Sequence, residues 1–138
     1  MNSPTFDVRP VGWVESPLIE PRQAPRQGDE GAPSAWIVFE PDVEAALRDL
    51  RVGDRVIVIS WLHRASRDVL TTRPRGYPGR LPIGVFSTRS QDRPNPLGLH
   101  PVEILAITGR RILVSNLEAI NQTPIIDIKP ELGPVSER

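Results

Sequence analysis

The residues with the most capacity for chemistry fall between positions 83 and 105, in the run IGVFSTRSQDRPNPLGLHPVEIL. An apolar start leads into Arg89-Ser90-Gln91-Asp92-Arg93-Pro94-Asn95-Pro96-Leu97-Gly98. Two prolines bracket Asn95, each removing a backbone donor and fixing φ, and Gly98 follows closely. This predicts a stiff turn that presents polar groups from set positions. A preorganised polar loop suits ligand binding. A second reading stays open, in which Arg89 and Arg93 pair with Asp92 and backbone carbonyls simply to hold the turn. From Arg64 to Arg93 the chain carries seven arginines against two aspartates, although Lys+Arg and Asp+Glu balance at 17 each overall. That stretch is compatible with a basic face and equally with a solvated arginine-rich loop. Overall neutrality argues against a surface given over entirely to nucleic acid.

Several other chemistries are excluded or left without support. Cysteine is absent, which removes disulfides, thiolate zinc sites and a cysteine nucleophile together. The two histidines, His63 and His100, have no carboxylate or second histidine at ligand spacing in the sequence, so no metal site is expected. No G-x-G-x-x-G follows a strand into a helix and no Walker loop is present, which excludes the common nucleotide-binding architectures.

The elements that must position these residues are mostly strands. Val11 to Glu15, Ala35 to Glu40 and Arg55 to Leu62 are rich in Val, Ile, Trp and Phe, which favour pleated, half-buried surfaces. The third, RVIVISWL, is apolar at nearly every position and is expected in the middle of the sheet or barrel. Ile83 to Thr88 and Pro124 to Ile128 are further candidates. Pro101 to Ile107 and Arg111 to Glu118 flank Thr108-Gly109-Arg110 and predict a hairpin. One stretch has helical spacing, with Val43, Ala46, Leu47 and Leu50 at i, i+3, i+4 and i+7 after Pro41-Asp42, and Gly53 near its end. The 16 prolines and 10 glycines gather in long loops, Pro17 to Pro33 and Thr72 to Pro82 above all.

With 138 residues, 38% hydrophobic and 25% charged, residues 1–138 are expected to form a single domain that buries about two-thirds of its unfolded surface. The fold class expected is mainly β, a small sandwich or barrel with one short helix and long Pro/Gly-rich loops. No apolar run approaches the roughly 20 residues of a membrane span and the N-terminus lacks a secretory signature, so the expected location is cytoplasmic.

Four ordered motifs carry a resemblance to a known family. GVFSTRSQDRPNPLGLHPVEIL is similar to the GVFATRSP-x-RPNPIGLS signature of the TsaA-like proteins. Val11-Gly12-Trp13-Val14-Glu15-Ser16-Pro17 resembles that family's opening strand, and Ile59-Ser60-Trp61-Leu62-His63 its aromatic strand ending in histidine. Thr123-Pro124-Ile125-Ile126-Asp127-Ile128-Lys129-Pro130 resembles its Gly-Thr-Pro-Val-Leu-Asp-Ile-Lys-Pro block. Pro-Arg-Gln occurs twice, and Pro25 to Gln27 has the family's spacing from Ser16-Pro17. The resemblance covers nearly the whole chain and implies a small TsaA-like β-barrel that dimerises. It further implies transfer of the methyl of S-adenosylmethionine to the exocyclic nitrogen of threonylcarbamoyladenosine, beside the anticodon of tRNA.

Position by position, the resemblance implies a cofactor pocket of Pro25, Arg26, Gln27, Leu62, His63, Arg89, Leu99, Asn121, Gln122, Thr123 and Pro124. Leucines can cover an adenine ring and an arginine can hold the cofactor's carboxylate. Arg64, Arg67, Arg93, Asn95 and Lys129 are the candidates for substrate contact, meeting phosphates or the substrate carboxylate of an RNA loop. His63 or Asp127 is the candidate catalytic proton acceptor, with the substrate's own carboxylate as a further possibility. There is one departure: where the family reads Asp-Gly-Thr-Pro, this chain reads Asn121-Gln122-Thr123-Pro124, which keeps a hydrogen-bonding group but loses a charge. The chain also stops soon after Pro130, as expected of a short form without the extra C-terminal domain of some tRNA-acting members. Two other functions compete: a methyltransferase of the same fold acting on a small molecule, and a non-catalytic module that senses S-adenosylmethionine.

Overall fold

The structure is a computed structural model and describes residues 3–17, 33–73 and 81–134. Eight strands form: β1 (Gly12–Glu15), β2 (Ala35–Phe39), β3 (Arg55–Trp61), β4 (Thr71–Thr72), β5 (Ile83–Gly84), β6 (Leu97–Thr108), β7 (Arg111–Val114) and β8 (Pro124–Pro130). Six of them pair antiparallel in the order β1-β2-β7-β6-β3-β8, and β8 returns to β1, so the ladder closes on itself as a barrel. β4 and β5 form a separate two-stranded ribbon. Closure removes the open edges that a short sheet would otherwise expose.

Alternation sets what lies inside. Val14, Ala35, Ile37, Phe39, Val56, Val58, Val102, Ile104, Ile112, Val114 and Ile125 point inward and are buried, with Leu117 and Ala119 closing the core below them. β3 runs between β6 and β8 as expected, but its second face, Ile57, Ile59 and Trp61, is only half-buried rather than enclosed. The predicted hairpin is the β6–β7 pair, with Gly109-Arg110 as its two-residue loop. Gly109 has φ of 59°, at the first loop position where a tight hairpin turn requires a positive φ. The register shifts between Ile104 and Ala106, which bends β6 around the barrel.

Three elements differ from expectation. The helix is a 3-10 helix, Pro41–Leu47. Seven residues gain little from cooperative α-helical bonding, and Asp49, with φ of 77°, ends the run before Gly53 is reached. Val43, Leu47 and Leu50 pack on the core while Ala46 is exposed. The strand expected over Ile83 to Thr88 stops at Gly84, because Val85–Ser87 curls into a 3-10 turn. β7 ends at Val114, and the chain through Glu118 passes under the core instead of extending the sheet. Among the described residues no helix is long and apolar enough to cross a membrane.

Candidate functional site

The inward face of β6 reads Gly98, His100, Val102, Ile104, and that of β3 reads Val56, Val58, Ser60. Pairing sets Ser60 opposite Gly98 and Val58 opposite His100. At this end of the barrel the aliphatic interior gives way to polar groups. Ser60 and His100 are 0% and 2% exposed; Ser60 Oγ lies 2.6 Å from His100 Nε2, and His100 Nδ1 lies 2.6 Å from Glu118 Oε1. A carboxylate only accepts, so Nδ1–H donates to Glu118, and in the neutral ring Nε2 accepts from the Ser60 hydroxyl. Gly98 provides the room: a Cβ there would meet Ser60 Oγ at 2.6 Å and His100 Nε2 at 2.7 Å.

The sequence offered His100 no nearby carboxylate, and the fold supplies one from 18 positions away. Glu118 is a residue that sequence reasoning missed. The signal was indirect: a histidine at an inward position of an alternating strand requires a buried partner. Its second oxygen, Oε2, is buried and has no hydrogen-bond partner among the described residues.

Two adjoining clefts open around this carboxylate. The first is lined by Leu62, His63, Arg64, Ala65, Gln91, Glu118, Ala119, Ile120 and Thr123. The second is lined by Leu62, Arg89, Ser90, Gln91, Arg93, Leu97, Gly98, Leu99, His100 and Glu118. Leu62, Gln91 and Glu118 border both. The predicted Leu62, His63, Arg64, Arg89, Arg93, Leu99 and Thr123 are thus brought to one mouth, while Pro25, Arg26 and Gln27 lie outside the described residues. Partial burial, and secondly the charge of neighbouring Arg64, lower the pKa of His63 below the usual 6.5.

The remaining predicted residues are placed elsewhere or occupied. Asp127 is exposed on β8, accepts from the Ile128 N–H at 2.8 Å and faces Lys129 Nζ at 3.7 Å; neither residue lines a cleft. Arg67 stacks over Trp61 at 5.1 Å and donates from Nε to Pro94 O at 2.7 Å and from Nη2 to Asn95 Oδ1 at 2.9 Å. Arg93 donates to the carbonyls of Thr88, at 3.2 Å, and Val85. Asp92 accepts from Ser66 N–H at 2.8 Å, and Arg93 N–H donates to Ser66 O at 3.0 Å. The second reading of this turn therefore describes Arg93, although its partners are carbonyls rather than Asp92. Arg89 differs: it is exposed and makes no hydrogen bond or ion pair among the described residues.

The altered segment ties the end of β1 to the chain before β8. Asn121 Oδ1 accepts from Ser16 N–H at 3.1 Å, a role open equally to a carboxylate oxygen. Gln122 has φ of 67° and donates its N–H to Val14 O at 2.6 Å. Where the family pattern has glycine, this chain accepts a left-handed residue at a cost of about 1–2 kcal/mol. Of Asn121 to Pro124, Thr123 lines the first of these two clefts and the other three line neither.

Residues 13–134 match the family model described as the tRNA-methyltransferase O N-terminal domain. The chain belongs to this family. Within the tRNA-methyltransferase O family it is 41% identical over 130 residues to a probable S-adenosyl-L-methionine-binding protein of Methanothermobacter thermautotrophicus, covering 94% of this chain and 93% of that one. A protein of Archaeoglobus fulgidus named as an S-adenosyl-L-methionine-binding protein is 38% identical, with 94% of each chain covered. A second A. fulgidus relative, 41% identical over 89% of this chain, is longer, and this chain spans 33% of it. Crystal structures of TrmO share the fold: one has a TM-score of 0.74 at 28% identity over 96% of this chain. TrmO from Pseudomonas aeruginosa has a TM-score of 0.72 at 28% identity over 93%. The chain spans 57% and 56% of those two proteins.

Proposed function

We propose that this protein binds S-adenosylmethionine at the mouth formed by the two clefts and methylates the exocyclic nitrogen of threonylcarbamoyladenosine in tRNA, next to the anticodon. The observation that carries the reading is the donor set at that mouth. Leu62 and Leu99 offer apolar cover, and Arg89 offers a guanidinium and Glu118 a carboxylate oxygen that meet no partner among the described residues. A ligand with a flat ring, a carboxylate and a cationic end fits such a set. The relatives named for binding S-adenosyl-L-methionine support the cofactor, and the family's description supports the tRNA substrate.

When bound, the cofactor supplies an electrophilic methyl group, and the protein's contribution is mainly to hold the acceptor nitrogen in line with it. Leu62, on the wall common to both clefts, excludes water there. Partial burial and the neighbouring Arg64 charge lower the pKa of His63 and so favour its neutral imidazole, which can accept the proton that leaves the acceptor nitrogen. Arg64 and Arg89, on the exposed rim, meet phosphate or the substrate's carboxylate. Arg67, Arg93 and Asn95 act one step removed, by fixing the turn that carries Arg89. The exposed Leu97, Leu99, Leu105 and Ile107 on β6 support the homodimer that the family resemblance implies.

Isothermal titration with S-adenosylmethionine tests the first half. Arg89→Ala is expected to weaken binding at least about tenfold, the loss of one charge-assisted pair. A folded wild type that does not bind overturns the reading. Release of S-adenosylhomocysteine with a tRNA carrying the modified adenosine, weakening with added salt, tests the second half. Binding without turnover leaves a sensing module, and turnover with a small acceptor alone overturns the tRNA assignment.

A further inference from the structure

Glu118 is held by one oxygen and, among the described residues, unpaired at the other. Oε1 is fixed by His100, which is fixed in turn by Ser60 in the space that Gly98 leaves. Oε2 is buried, without a partner among the described residues, and belongs to a side chain only 10% exposed. A buried carboxylate oxygen left unpaired is costly, so a site that keeps one is suited to a ligand that brings a donor, preferably a cationic one. The second cleft also contains the complementary charge. Of its two arginines, Arg93 is committed to carbonyls and Arg89 meets no partner among the described residues. One carboxylate oxygen and one guanidinium, both without a partner among the described residues and both belonging to residues that line a single cleft, match the two charges of an α-amino acid.

We propose that Glu118 Oε2 receives the α-ammonium group of S-adenosylmethionine while Arg89 takes its α-carboxylate, making the second cleft a receptor for the cofactor's amino-acid end. The inference rests on the cofactor reading above and deepens it. The ammonium also separates cofactor from acceptor, because the threonyl nitrogen of threonylcarbamoyladenosine is carbamoylated and carries no positive charge. Ser60 and His100 are positioning residues that prevent the carboxylate from turning its open oxygen away.

Glu118→Gln is the informative variant. The amide oxygen still serves His100 Nδ1–H, and an NH2 group replaces the open oxygen, so a donor faces a donor. The probes are S-adenosylmethionine and 5′-methylthioadenosine, which lacks the amino-acid end. Glu118→Gln is expected to weaken the first at least about tenfold and to leave the second within about twofold. A second measurement needs no variant: wild type should bind S-adenosylhomocysteine at least about tenfold more tightly than its analogue with hydrogen in place of the α-amino group. Unchanged S-adenosylmethionine binding by Glu118→Gln, equal losses for both probes, or wild type indifferent to the amino group would overturn the inference while the cofactor reading stands. A folded wild type that binds no S-adenosylmethionine overturns both.

Discussion

The Pro94-Asn95-Pro96 turn and the cleft mouth beside it are built from the same residue types, yet they differ in what their polar groups have left to offer. In the turn, Arg67, Arg93, Asp92 and Asn95 all meet partners within the chain. At the mouth, the Arg89 guanidinium and Glu118 Oε2 meet none among the described residues. Hydrogen-bonding capacity, rather than residue type, separates scaffold from site. An arginine bonded to two carbonyls rigidifies a loop, whereas an arginine four residues away whose donors meet no partner among the described residues can bind.

The comparison breaks most severely if the support under Glu118 is removed. Gly98→Ala would drive a methyl into Ser60 Oγ and His100 Nε2, both buried side-chain atoms with little room to retreat. We expect a loss of about 3 kcal/mol, the upper end for overpacking a core, and a melting temperature lower by about 10 °C. Thermal unfolding followed by circular dichroism checks this. A variant melting within 2 °C or so of wild type would mean that the Ser60–His100 contact is easily rearranged.

A smaller effect sharpens the contrast between the two arginines. Arg93→Ala removes donors from the carbonyls of Val85 and Thr88, but the Val85 carbonyl keeps the Thr88 N–H and hydroxyl. About 1.5 kcal/mol of stability should be lost, near the lower end for bonds to a charged group. Arg89→Ala, which breaks no bond within the described residues, should unfold in denaturant like wild type. Equal stability losses for the two variants would erase the distinction drawn here.

What could be read from the sequence follows from how local each feature is. Alternation in Ala35–Phe39 and Arg55–Trp61 predicts the inward faces, because neighbours two apart decide them. The 83–88 stretch is equally strand-like in sequence, but Val85–Ser87 curls into a 3-10 turn closed by Thr88 on the Val85 carbonyl and braced there by Arg93, a contact no local pattern encodes. Leu62 and His63 at the mouth were legible only through family resemblance, whereas Arg89 also stood out in the proline-bracketed polar loop. Glu118 was legible by neither route, since its meeting with His100 is created by the β6–β7 hairpin and the segment after β7. Gln122 shows the converse: its side chain gives no local sign of a turn, yet its backbone is left-handed, with φ of 67°.

The finest test concerns His63, which titrates at the open mouth with both its ring and Arg64 exposed. Its pKa is lowered chiefly by partial burial and secondarily by Arg64. In the unfolded chain it takes up a proton near the usual 6.5, so over the window just below that value the unfolded state binds more protons than the folded one. Stability therefore falls as pH drops through the window and is recovered as pH rises above it. NMR titration of the ring proton, assigned with His63→Gln, should give a midpoint below 6.5. Arg64→Gln should move the midpoint only part of the way back, because the larger cause, burial, remains. A midpoint at or above 6.5 in wild type would mean that His63 is more solvated than the first cleft implies, and it would weaken the case for a neutral imidazole as proton acceptor.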